Sequence, residues 1–157
     1  MADQHHEADQ HHELMAETRI QVPLERVVEL MGAHPDDILG APGTRMVDVD
    51  LSTPSQSPGR IEITLGPVER EADVARWPLS WSPFSGSVVT GRFDGMLIVS
   101  RWRGDSDLRL EGRCAVLAAG YSRARASIVR ILDEIAGRIE QFAYQPSEDV
   151  ASDYWLG

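Results

Sequence analysis

Apolar residues recur along this chain with two different periods, and the change of period divides it into elements. Near the C-terminus, Ala124, Ile128, Ile131, Leu132, Ile135, Ile139 and Phe142 follow at helical spacing, which stacks side chains into one stripe. A long helix over 121–143 is predicted, with Arg123, Arg130, Asp133, Glu134, Gly137 and Gln141 on its other side. Buried against a sheet, that stripe is worth on the order of 10–20 kcal/mol gross, at roughly 1.5–3 kcal/mol per side chain.

The upstream chain supplies the sheet. A weak alternation over 17–22 predicts a first strand. Pro23 sits where a helix starts, and Leu24, Val27, Val28 and Met31 form a short amphipathic face that ends at Gly32. A second short helix is expected over 35–39, closed by Gly40. From Thr44 the period becomes two: Val47, Val49 and Leu51, then Ile61, Ile63 and Leu65 after a loop, with polar residues opposite. The alternation resumes over 68–77, where Arg70 and Arg76 share parity with Ala72 and Val74. A regular strand would turn both guanidiniums inward unless a bulge resets the register. The stretch 78–90, with Trp81, Pro83, Phe84 and Gly86, is expected to be an irregular loop. Residues 92–102 read as a central strand that is apolar on both faces. Gly104-Asp105 marks a hairpin turn. Leu108, Leu110, Gly112, Cys114 and Val116 then alternate with charged residues as a half-buried strand.

Composition narrows the functional classes. The net charge is −10, and all 15 basic residues are arginine. With no dense cationic patch, neither nucleic acid nor an anionic membrane surface is an expected partner. No apolar run is long enough to span a bilayer, no signal peptide is visible, and the single Cys114 cannot form an internal disulfide, so a cytoplasmic location is expected. Residues 2–7 and 8–13 are the same hexapeptide repeated. Residues 1–14 therefore read as a disordered, His-rich tail, 15–144 as the domain, and 145–157 as an acidic tail. His5, His6, His11 and His12 are weak metal candidates, because a short tract lacks closed ligand geometry. No cofactor motif is present, so none is expected. Nothing in the composition indicates an oligomeric state.

The predicted order is one strand, two short helices, a run of antiparallel strands and a long terminal helix. Three stretches carry a resemblance: Arg92-Phe93-Asp94-Gly95-Met96-Leu97-Ile98-Val99, then Ser106-Asp107-Leu108-Arg109-Leu110-Glu111-Gly112, then the helix. Together they resemble the helix-grip fold of the START-like (SRPBCC) superfamily, which includes Bet v 1 allergens, polyketide cyclases and lipid-transfer domains. Trp77-Pro78-Leu79-Ser80-Trp81 is also similar to a recurring feature of uncharacterised bacterial members. The resemblance implies an α+β domain in which a curved sheet of about six to seven strands wraps around the last helix. It also implies a cavity between the two for a hydrophobic or amphipathic small molecule. The paired prolines that often precede the last helix in such relatives are missing from 113–120.

The candidate lining is Trp81, Phe84, Met96, Ile98, Ile128, Leu132 and Ile135, with Arg70 and Arg76 as possible anchors for a carboxylate or carbonyl. On the two-faced strand, Met96 and Ile98 are expected inward rather than Leu97 and Val99. Trp81 and Phe84 are expected to gate the mouth from their loop, and Phe142 to plug one end. His34 reads as a loop histidine by a helix cap, Cys114 as a buried, unreactive thiol, and Arg103-Gly104-Asp105 as turn chemistry. No residue is assigned a catalytic role. Binding of a small molecule is the expected function. A polyketide cyclase- or aromatase-like enzyme is the alternative, and a protein-interaction module using the aromatic C-terminal tail is a second alternative.

Overall fold

The computed structural model describes residues 11–40, 47–48, 59–85, 92–115 and 121–144. In chain order the elements are β1 (His11–Ile20), α1 (Leu24–Ala33), α2 (Pro35–Leu39), β2 (Val47–Asp48), β3 (Gly59–Leu65), β4 (Glu69–Arg70), β5 (Val74–Ser85), β6 (Phe93–Trp102), β7 (Asp105–Ala115) and α3 (Tyr121–Tyr144). Among the described residues they form one antiparallel sheet of seven strands in the order β1-β7-β6-β5-β3-β2, with β4 also paired to β5.

The helical stripe is buried as its spacing predicts. Ala124, Ile128, Ile131, Leu132, Ile135 and Ile139 share one core with Leu14, Ala16 and Ile20 of β1, Ile63 of β3, and Leu108 and Leu110 of β7. Phe142 packs at the margin of that core, while Gly137 is exposed and has open space around it. The α1–α2 corner follows from two prolines. Pro23 caps α1 in an extended conformation, and Pro35 starts α2 where the missing N–H is not needed. α1 runs one residue past Gly32, and the His34 cap with Pro35 ends it. Gly40 closes α2 at φ 97°, in the left-handed region.

Three expectations are corrected. β1 begins at His11, inside the segment read as tail, because His11 to Leu14 pair with Ala115 to Gly112 of β7. The stretch read as a loop is mostly strand, since β5 runs unbroken from Val74 to Ser85. Pro78 is tolerated within it because its missing N–H faces the gap between β3 and β4. Its carbonyl, on that same side, accepts from the Gly66 N–H at 2.7 Å. The third correction concerns parity. The β4–β5 turn resets the register, so Ala75, Trp77, Leu79 and Trp81 are buried while Arg76 faces outward. On β6, Leu97 and Val99 are fully buried and Met96 and Ile98 turn away from the helix.

Gly95 and Gly112 are cross-strand partners at the centre of the sheet. A Cβ on Gly95 would lie 2.2 Å from the Glu111 carbonyl oxygen, and one on Gly112 2.4 Å from that of Asp94. The two strands approach too closely for any side chain there, and the Phe93 ring lies over both positions.

Candidate functional site

Trp81, Phe93, Cys114 and His12 are successive cross-strand partners on β5, β6, β7 and β1. Cross-strand partners share a face, and this face is the inner one, since Trp81, Phe93 and Cys114 are buried. Trp81 and Phe93 stack with centroids 4.1 Å apart and planes 12° from parallel. Next to this aromatic pair the row carries the one thiol of the chain, then an imidazole whose Nε2 is buried.

α3 packs chiefly along β1 and less on β7. β7 ends at Ala115, opposite His11, and only residues 116–120 separate it from Tyr121. At the other end the Tyr144 hydroxyl donates to the Gln21 carbonyl, just beyond β1. From Gln21 back to His12 the strand covers about 30 Å, the length of about 20 helical residues. Ser127 is 1% exposed on the inner side of α3, and its hydroxyl makes no hydrogen bond.

The opposite end of the interior is tied shut. Arg138 donates to the Ile38 carbonyl at 3.2 Å, the Ser106 hydroxyl donates to the Val22 carbonyl at 2.6 Å, and Phe142 stacks on His34 at 5.3 Å. His34 also lies 3.3 Å from the Asp37 carboxylate, which makes it part of this corner. Arg101, at the rim of β6, bonds both Glu25 of α1 and Asp73 of the β4–β5 turn. Its guanidinium, the largest influence, holds the Glu25 carboxyl below the ordinary carboxylate range. Residue-by-residue reading of the sequence assigned Arg101 no role.

The expected site residues divide accordingly. Trp81, Ile128, Leu132 and Ile135 belong to the interior. Phe84 lies in β5 and not on a gating loop. Arg70 and Arg76 are drawn into the rim network, with Arg70 3.5 Å from Glu25 and Arg76 3.1 Å from Glu71. Neither guanidinium enters the interior. Met96 lies on the outer face, where it lines a groove of about 560 Å³ with Glu13, Met15, Glu111 and Arg113. His5, His6 and the tail 145–157 fall outside the described residues. Among the described residues, no three His, Cys, Asp or Glu are grouped to hold a metal, and no helix is long and apolar enough to cross a membrane.

Cys114 and His12 were separated in the sequence reading, one as inert core and the other as tail. The signal that joins them was present, because His12 extends the alternation of Leu14, Ala16, Thr18 and Ile20.

No family profile and no curated protein matches the chain. Among solved structures it is similar to protein Ms6760 from Mycobacterium smegmatis, at TM-score 0.53 and 9% identity over 87% of this chain and 93% of that one. The fold is a helix-grip fold. Ara h 8.0201 aligns over 82% of this chain and 97% of its own at TM-score 0.48 and 10% identity. The Zhui aromatase/cyclase from Streptomyces sp. R1128 aligns over 85% and 94% at TM-score 0.47 and 11% identity. At such identities the likeness is one of architecture. Within this helix-grip domain, Ser127 and the inner row of Cys114 and His12 bring polar groups to an apolar interior.

Proposed function

We propose that this domain binds a hydrophobic or amphipathic small molecule between the inner face of the sheet and α3. The observation that carries the reading is Ser127. A buried hydroxyl without a partner costs about 1–3 kcal/mol, yet it stands among Ala124, Ile128 and Ile131, all fully buried. A core selected only for packing has no use for it, whereas a ligand-holding interior does, since such sites are apolar with a few placed polar groups. A solvatochromic apolar dye such as Nile red tests the reading. The native protein should bind it saturably at one site and melt at a higher temperature in its presence. Ala124→Leu, which adds bulk one turn from Ser127 on the buried side of α3, should abolish uptake and keep a cooperative melt. Native protein that takes up no dye would refute the proposal.

A second reading, a polyketide cyclase- or aromatase-like enzyme, is favoured by the imidazole and thiol on one inner row. Turnover of a polyketide-like substrate, lost in both Cys114→Ala and His12→Leu, would move that reading ahead.

A further inference from the structure

We infer that the outer face of the sheet carries a second site, for a free aromatic amino acid in its zwitterionic form, in the groove of about 560 Å³ between Met15 and Met96. It lies on the far side of the sheet from α3 and does not rest on the binding reading above. Leu14, Gly112 and Gly95 are cross-strand neighbours on β1, β7 and β6. The Leu14 side chain is buried inward and the glycines have none, so backbone forms the floor of the groove. Along one side of that floor run Met15, Glu111 and Met96, a single cross-strand row, and along the other stand Glu13 and Arg113. The volume falls within the range of small-molecule sites, roughly 300–1,000 Å³.

The class of ligand follows from the charges that the fold leaves over. Around the groove, Arg109 lies 3.5 Å from Glu17 and 3.9 Å from Glu111, and Arg92 lies 3.2 Å from Asp94. Glu13 and Arg113 are directly opposed across β1 and β7, and neither has an ion-pair partner among the described residues. The groove therefore presents one free charge of each sign side by side. A ligand that is only an anion would bring its charge against Glu13 and Glu111, and one that is only a cation would meet Arg113. A zwitterion sets its ammonium on Glu13 and its carboxylate on the Arg113 fork. The opposite wall suits the body of the ligand. Met15 and Met96 flank Glu111 two strand spacings, about 10 Å, apart, and thioethers make favourable contacts with an aromatic ring. Met15 is 49% exposed, apolar surface that such a ring would cover.

The test compares L-tryptophan with tryptamine, which lacks the carboxylate, and with indole-3-propionate, which lacks the ammonium. Ligand-observed NMR titrations of the intact protein at neutral pH and low salt give the three affinities. The wild type should bind L-tryptophan about fivefold more tightly than either analogue, the scale of one half-exposed ion pair. Glu13→Gln should bring L-tryptophan to within about twofold of indole-3-propionate, and Arg113→Gln should bring it to within about twofold of tryptamine. Met15→Ala should weaken all three by a similar factor, because the ring contact is common to them. Ala124→Leu, on the other side of the sheet, should leave all three unchanged. No binding of L-tryptophan, equal affinity for the three compounds, or a preference that survives both charge substitutions overturns the site. So does loss of binding in Ala124→Leu, which would place the ligand in the interior and leave the binding reading standing. Failure of Nile red to bind removes the interior reading alone and does not touch this one.

Discussion

The two ends of the interior use their polar groups differently. At the α1–α2 end nearly every one closes something: Tyr144 on Gln21, Arg138 on Ile38, Ser106 on Val22, and Arg101 between Glu25 and Asp73. In the second turn of α3, Ser127 is buried and its hydroxyl makes no hydrogen bond. Polar groups in a small domain stabilise when they are paired, and they persist unpaired where something else selects them. The contrast rests on two hydroxyls: that of Ser106 serves the fold, and that of Ser127 makes no hydrogen bond.

The largest expected effect breaks both ends at once. Ile135 is fully buried midway along α3, and Ile135→Asp would place a carboxylate there with no partner. A loss of more than about 4 kcal/mol is expected, enough to abolish a cooperative thermal transition in a domain of ordinary stability. A variant that melts within a degree or two of wild type would show that α3 does not hold the core.

A smaller effect, of opposite sign, sharpens the comparison. In the ligand-free protein, Ser127→Ala should stabilise by about 1 kcal/mol, because it removes an unsatisfied buried hydroxyl and improves helix propensity. Urea unfolding measures this. Destabilisation would mean that the hydroxyl serves the fold, as Ser106 does, and the difference between the ends would disappear.

The smallest effect probes the locked end through pH. Glu25 has its carboxyl held low by Arg101. Its contribution to stability is therefore present above the unfolded-state value near 4.5 and is lost as pH falls through the lower folded-state value. Glu25→Gln should melt slightly below wild type at neutral pH, and the gap should close as the pH drops below that range. A gap independent of pH would assign the contact to packing, not charge. Because Glu25 is exposed at the surface, salt should also narrow the gap.

How much of this was legible differs by element. The span and buried stripe of α3 follow from spacing alone, since helical periodicity is a property of one segment. The hairpin of β6 and β7 and the Pro35 start of α2 were legible for the same local reason. The inner row was not. Reading β6 as apolar on both faces left Leu97 and Met96 equivalent, and only pairing with β5 and β7 separates them, because a shift of one residue inverts every side chain. Arg76 was misplaced because the turn between β4 and β5 resets the parity, a count that composition does not reveal.

By itself, then, the chain determined its helices, the hairpin of its last two strands and the apolar face of its final helix. All of these rest on backbone periodicity within short segments. The tertiary structure decided which strand faces look inward, that β1 reaches back to His11, and that Cys114 pairs across strands with His12. These depend on which distant backbone satisfies the N–H and C=O groups of each strand. Residues 11 to 14 are strand because β7 presents an edge that they can pair.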